Sequence, residues 1–385
     1  MKKLLSVLLA AVMMASTFTA CGGGGETATD EKVLFIGGSG PLTGDYATYG
    51  VSVKQGATLA MEEINAAGGT NGYTLKVVVE DDQADPQQAV QAYATLMDDG
   101  MHVSLGGTTS GACIAVTEEV KKDGLLMLTP SGSQLECTQY DNCFRVCFQD
   151  PEQGLYSAKF IKENMTDITK VAVLYDKSND YSVGIHDSFI AKAAEIGLEV
   201  ATDQAFTDQS NTDFSVQLQA IKDSGAELLF LPLYAQECAY ILTQANDIDL
   251  DVIFFGVDGM DGILQKIGED NLALTEGVML LTPFAADSLE EPTKSFTAAY
   301  KEAYNTVPDQ FAADAYDAVY IIKAAMEHAQ AFDPTEDDFN EKLIAAMLEI
   351  EVKGTTGTMT WTAEGEPAKE ATANVIKDGA YVAFS

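Results

Sequence analysis

Positive charge is scarce in this sequence. Lysine and arginine together number 22 against 59 aspartates and glutamates, for a formal net charge of −37. Proteins that hold nucleic acid need clustered Lys and Arg for the phosphates, so nucleic acid is excluded as a partner. The surplus acid reads as a solvated surface that keeps a secreted chain soluble. Histidine is nearly missing as well: His102, His186 and His328 are scattered and lack metal-ligand spacing. Catalytic signatures are also wanting, with no Gly-x-Ser-x-Gly elbow and no Walker loop. Gly38-Ser39-Gly40 imitates the start of a nucleotide fingerprint, but the next glycine, Gly44, falls one residue late. No enzyme activity, cofactor or metal is therefore expected, and hydrolysis is the remote alternative. After the first twenty residues no apolar run is long enough to span a bilayer.

What is present begins with an export signal over residues 1–20. Lys2-Lys3 supplies its charge, Leu4 to Met14 its short apolar stretch, and Ala15 to Ala20 its small and hydroxyl residues. Phe18-Thr19-Ala20-Cys21 resembles the lipobox of bacterial lipoproteins, in which the cysteine is acylated and becomes the mature N-terminus. Residues 21–31, with four glycines from Gly22 to Gly25, then form a flexible tether. Each buried CH₂ of an acyl chain contributes roughly 0.8 kcal/mol, so a diacylated Cys21 would hold the chain on a membrane by lipid alone. Removing Cys21 from the six cysteines leaves five. Cys137 and Cys143 flank a short polar loop and are the expected disulfide, which export permits. Cys113, Cys147 and Cys238 read as buried small hydrophobes.

The rest alternates short apolar strands with amphipathic helices. Val33 to Ile36, Tyr73 to Glu80, Val103 to Leu105 and Leu125 to Leu128 are the strands of a first series. Asp85 with Pro86 marks a capped helix start between the second and third. A second series places strands at Val171 to Tyr175, Val200 to Ala205, Leu228 to Leu231 and Val252 to Phe255, after a helix expected to be capped by Asp150. Two such series predict an α/β protein with two doubly wound parallel-sheet lobes. The remaining strands and helices are too few for a third core. The chain is therefore expected to return to each lobe, with 32–148 and 277–350 in lobe 1 and 149–276 and 351–385 in lobe 2.

Two turns stand out. Gly107-Thr108-Thr109-Ser110-Gly111 follows one strand and Thr129-Pro130-Ser131-Gly132-Ser133 the next. Both fall at carboxyl ends of parallel strands, where open α/β sheets bind ligands, and both suit a small anion.

Several stretches together resemble the leucine/isoleucine/valine-binding proteins of bacterial ABC importers. They are Gly40-Pro41-Leu42-Thr43-Gly44 with Tyr49-Gly50, Ile64-Asn65-Ala66-Ala67-Gly68-Gly69, and Asp81-Asp82-Gln83-Ala84-Asp85-Pro86. Leu128-Thr129-Pro130, Asp180-Tyr181, Tyr234, Gly256-Val257-Asp258-Gly259 and Ala315-Tyr316-Asp317 complete the set. Each is weak alone, and their order and spacing carry the likeness over nearly all of the chain. The resemblance implies two lobes joined by three crossover strands, with a ligand in the cleft between them closed by a hinge motion.

It also implies a ligand set. Ser110, Ser131 and Ser133 match positions that hold the α-carboxylate of an amino acid, although at the position of Ser131 the family often uses only the backbone. Ser110 is also expected to cap its helix, a role compatible with ligand contact. Asp258 matches the acid that holds the ammonium, where leucine binders often carry Glu. An Asx-turn is the plain alternative, and Asp261 is a near rival. Tyr49, Tyr181 and Tyr234 match aromatics facing the cleft, against helix packing or a surface loop, with Tyr46 and Phe311 behind them. Trp361 is expected in the core. The implied partners are an amino acid, branched-chain or similar, and an ABC permease with its ATPases, the protein being a monomer. A lipid-anchored sensor of amino acids or amides is the alternative, since hinge closure serves signalling equally well.

Overall fold

The computed structural model of the protein describes residues 32–369 and 372–384. The expected export signal, the tether and the lipidation site Cys21 lie outside the described residues. The first lobe is wound from β1 (Val33–Gly40), α1 (Ala47–Ala66), β2 (Thr74–Asp81), α2 (Pro86–Asp98), β3 (Val103–Gly107), α3 (Ser110–Asp123), β4 (Met127–Thr129) and β5 (Cys143–Arg145). The second takes α4 (Asp150–Asn164), β6 (Lys170–Asp176), α5 (Asp180–Ile196), β7 (Glu199–Phe206), α6 (Ser215–Ser224), β8 (Leu228–Leu231), α7 (Ala235–Asp247), β9 (Ile253–Gly256), α8 (Ile263–Lys266) and β10 (Met279–Thr282). Then come α9 (Thr293–Tyr304), α10 (Gln310–Ala329), α11 (Phe339–Met347), the hairpin β11 (Val352–Gly354) and β12 (Gly357–Met359), and finally β13 (Thr372–Lys377) and β14 (Ala380–Ala383).

The first sheet runs β2-β1-β3-β4-β5 and the second β14-β13-β10-β9-β8-β6-β7. From β7 to β10 the second repeats the winding of the first: the second strand in chain order lies outside the first, and the others follow on its far side. This doubly wound order puts a switch point between β1 and β3 and another between β6 and β8, where a ligand crevice opens at the carboxyl ends. The strands are apolar because both faces are covered. β8, Leu-Leu-Phe-Leu, is wholly buried. On β6, Val171 and Val173 face one hydrophobic cluster and Ala172 and Leu174 the other, the two-residue alternation of a strand. At α2 the Asp85 carboxylate accepts from the backbone N–H groups of Gln87 and Gln88, both at 2.9 Å, ahead of Pro86. Asp150, by contrast, does not cap α4; it is the helix's first residue, behind Gln149, and no side chain closes that end.

The chain passes between lobes after β5, after β10 and before β13. Two expected lobe boundaries shift accordingly. β10 pairs in parallel with β9 and antiparallel with β13, so it belongs to the second sheet. Met359 and Trp361 lie in the first lobe's core with α1 and α10, so 352–361 stays with the first lobe. These assignments depend on pairings remote in sequence, which strand patterning alone does not specify.

Arg145 sits at the first crossing. It is the only arginine in the sequence, and it is completely buried. Its Nη1 donates to the carbonyl of Gly132 at 2.9 Å. Its Nη2 donates to the carbonyl of Gln134 and to Thr138 Oγ1, each at 3.0 Å. Glu366 supplies the countercharge 3.0 Å from Nε. The backbone carbonyl of Arg145 in turn accepts from Trp361 Nε1 at 2.8 Å. One guanidinium thus fixes the loop after β4 and ties the late segment around Glu366 to the first lobe.

The expected Cys137–Cys143 disulfide is not formed, and both thiols are free. Cys137 lies in a 3-10 turn, Leu135–Thr138, with Sγ 3.7 Å from the carbonyl oxygen of Ser110. Cys143 opens β5 with Sγ 3.8 Å from Asn142 Oδ1. Asn142 is itself held to α3 and the strand entry by its amide on the carbonyls of Val120 and Leu125. The loop between the cysteines is short, but its two ends are anchored to different neighbours. Removing one side of a buried ion pair leaves the other charge unpaired, at a cost of about 3–5 kcal/mol. Arg145→Met is therefore expected to lower the unfolding free energy in urea by that amount, and a loss under about 1 kcal/mol would show that the loop holds without it.

Candidate ligand-binding site

The carboxyl ends of the two sheets face each other across a narrow cavity. Thr108, Thr109, Ser110, Ser131 and Ser133 come to it from the turns after β3 and β4, with Tyr49 from α1 and Phe311 from α10. Tyr181, Tyr234, Asp258 and Gly259 come from the second lobe. All seven residues singled out in the sequence as ligand contacts line this one space, and Phe311 joins them. Tyr46 and Asp261 do not. Tyr46 donates its hydroxyl to Glu237 Oε1 at 2.9 Å just outside. Asp261 spends its carboxylate on the backbone N–H groups of Gly262 and Gln310, at 2.9 and 3.0 Å.

On the first lobe the groups are hydroxyls and amides. The N-cap of α3 is Thr109, not Ser110, and it makes no side-chain cap bond. Ser110 Oγ reaches across instead, accepting from the backbone N–H groups of Ser133 at 3.2 Å and Gln134 at 3.3 Å, with Ser133 Oγ 3.4 Å away. Thr129 stitches the second turn from inside, its Oγ1 accepting from Gly132 N at 2.9 Å. Thr109 Oγ1 is buried with no hydrogen-bond partner in the protein. A buried hydroxyl left so costs about 1–3 kcal/mol, which makes it a place for a ligand oxygen. The first N–H groups of α3 have no partner within the helix and carry the positive end of its dipole. This half of the cavity suits an anion without holding a cation.

The other half is built around a carboxylate. Asp258 is 3% exposed. Its Oδ1 accepts from Tyr181 OH at 2.6 Å and from Gly259 N at 2.7 Å, and its own N–H donates to Gln153 Oε1 at 3.2 Å. Both side-chain bonds fall on Oδ1. Burial pushes its pKa up to about 6, the Tyr181 bond offsetting only part of the effect. The bond to Gly259 N reaches only the next residue, one short of an Asx-turn, so that alternative is not what the turn forms, and the residue faces the cavity. Tyr181 stacks on Tyr234, with ring centroids 4.8 Å apart and planes 9° from parallel. Tyr49 packs edge-on against Phe311 at 4.9 Å. Tyr49 is helix packing and lobe bridge at once: its hydroxyl donates to Gly259 O at 2.6 Å and accepts from Ala235 N at 2.8 Å.

A model of the family described as periplasmic binding protein matches residues 33–376. The chain belongs to that family. It is 31% identical over 331 residues to the leucine-, isoleucine-, valine-, threonine-, and alanine-binding protein of Pseudomonas aeruginosa, covering 85% of each chain. It is also 31% identical over 303 residues to the Leu/Ile/Val-binding protein homolog 3 of Brucella melitensis, covering 78% of this chain and 80% of that one. Among solved structures, the branched-chain amino acid transporter substrate binding protein LivJ of Streptococcus pneumoniae, in complex with isoleucine, superposes with a TM-score of 0.82 at 26% identity. The match covers 91% of this chain and all of that one. The leucine binding protein LivK of Thermotoga maritima gives the same score at 27% identity over 91% and 98% of the two chains.

Thr108, Thr109 and Gly259 are the cavity residues that sequence reasoning passed over. Thr109 was legible only as one hydroxyl among several. Gly259 could be found only from the structure: a Cβ there would stand 2.4 Å from Tyr181 Oη. Gly259→Ala is expected to push the Tyr181 hydroxyl off Asp258 and lower stability by about 1–3 kcal/mol, the usual cost of overpacking. A crystal structure of the variant with the Tyr181–Asp258 bond still at 2.6 Å would contradict this.

Proposed function

We propose that this protein captures an amino acid between its lobes and delivers it to an ABC permease. The observation that carries this reading is one cavity with opposed chemistry: hydroxyls and a helix N-terminus on the first lobe, and a buried carboxylate without a cation on the second. An α-carboxylate fits the first and an ammonium the second. The aromatic walls of Tyr49, Tyr181, Tyr234 and Phe311 would meet an apolar side chain, which favours an aliphatic amino acid. The relatives named for leucine, isoleucine and valine support the same class. On this reading the chain is exported, held at the membrane by acylated Cys21, and works as a monomer beside its permease. Among the described residues no helix is long and apolar enough to cross a membrane.

Calorimetric titration with aliphatic amino acids tests the assignment. Asp258→Ala is expected to weaken the tightest ligand at least tenfold, about 1.4 kcal/mol; unchanged affinity would remove Asp258 from the site. Proton dependence gives a separate measure. The Asp258 pKa of about 6 lies above the ordinary 3.8, so as pH falls a proton takes the oxygen that an ammonium needs. Affinity is therefore expected to drop below pH 6, about tenfold between pH 7 and pH 5. Asp258→Asn should flatten that part of the profile.

A further inference from the structure

Cys113 and Cys137 lie on either side of Gly132. A Cβ at Gly132 would stand 2.7 Å from Cys113 Sγ and 3.0 Å from Cys137 Sγ, so the two sulfurs share one small space. Both cysteines are completely buried. Cys113 is three residues into α3 from Ser110, and Cys137 is four residues past Ser133. Cys137 Sγ also lies 3.7 Å from the carbonyl oxygen of Ser110.

We infer that Cys113 and Cys137, neighbouring free thiols in this structure, pair as the native disulfide of this chain, a staple that fixes the start of α3 to the loop carrying Ser131 and Ser133. The relation replaces the pairing suggested by sequence distance: 24 residues apart along the chain, the two thiols meet because Arg145 folds the loop back over α3. The family is extracytoplasmic, where disulfides persist.

With Cys113 written as the attacking thiol and Cys137 as the resolving one, the exchange balances. The oxidant is a disulfide, either small or carried by an exported thiol oxidase. Cys113 sulfur attacks it, forms a mixed disulfide and releases one thiol. Cys137 sulfur then attacks Cys113 sulfur and releases the second. Two protons and two electrons leave the chain, and one external disulfide becomes two thiols. Because both sulfurs are buried in the fold, the exchange precedes the packing of α3.

Peptide mapping tests this directly. The full chain is refolded with oxidised and reduced glutathione, alkylated in denaturant and digested. Trypsin cutting after Lys121 or Lys122, with a second protease cutting before Asp141, puts Cys113, Cys137 and Cys143 on three separate peptides. The expected product joins the Cys113 and Cys137 peptides, two hydrogens lighter than the free pair, and it persists in Cys143→Ser. Alkylation of both Cys113 and Cys137, or a Cys137–Cys143 link, overturns the assignment. Melting adds a second reading: dithiothreitol is expected to lower the transition of the wild-type chain by several degrees and to leave a Cys113→Ala, Cys137→Ala double variant unmoved. An equal fall in both would overturn it as well.

Discussion

The first lobe's half of the site depends on a single buried cation. Arg145 is the only arginine in a strongly acidic chain, and it is spent entirely inside the protein. A lysine could not take its place. The planar guanidinium holds two carbonyls, a hydroxyl and a carboxylate in one fixed fork, where an ammonium would act as a point charge with three rotating donors. Because the carbonyl of Gly132 turns toward Arg145, the N–H of Ser133, across the same peptide plane, turns toward Ser110. A charge behind the loop thereby sets which backbone groups remain in front of it. The same residue ties Glu366 and Trp361 to the first lobe, so the last crossing between lobes is registered against the anion half of the cavity. A second buried pair, Lys369 with Asp314 at 2.6 Å, lies beside that crossing and also bonds the carbonyl of Val146.

With Arg145 occupied by the protein, the cavity has no cation of its own. This decides its chemistry. An anion there is met by hydroxyls, amide N–H groups and a helix dipole. These stabilise charge through short, directed bonds and release it more readily than a salt bridge would. The second lobe mirrors the first in winding but not in charge. Its crevice residue is Asp258, at the turn after β9, held by Tyr181 and Gly259. Two copies of one sheet topology therefore present opposite signs to one another at their switch points, and a zwitterion is the simplest ligand that satisfies both.

Much of this was legible in the sequence, because it rests on local patterns. The hydroxyl-rich turns at strand ends can be placed from local pattern, the acid after β9 and the tyrosines from the family resemblance, and they converge on one cavity. The parts that were not legible depend on distance. Arg145 looks like an ordinary strand residue until Glu366, 221 positions later, is seen beside it. The membership of β10 rests on pairing with β13 near the end of the chain. Cys137 was matched to Cys143 by loop length, but the fold places it next to Cys113. Ser110 as a helix cap failed for a related reason: its hydroxyl had a better partner in the other turn, which local capping rules do not see.

The uncompensated carboxylate also explains how binding and closure are coupled on the proposed reading. Raising the pKa of Asp258 from 3.8 to about 6 means that burying it ionised near pH 7 costs roughly 3 kcal/mol. That cost is carried in the arrangement described, in which Tyr49 of the first lobe bridges to Gly259 and Ala235 of the second. On the proposed reading an ammonium beside Asp258 offsets the desolvation, so ligand binding and burial of Asp258 favour each other. A ligand shifts a two-state equilibrium only by its difference in affinity for the two states, and 3 kcal/mol is about a hundredfold. A site that supplied its own countercharge would close more stably and respond less to ligand.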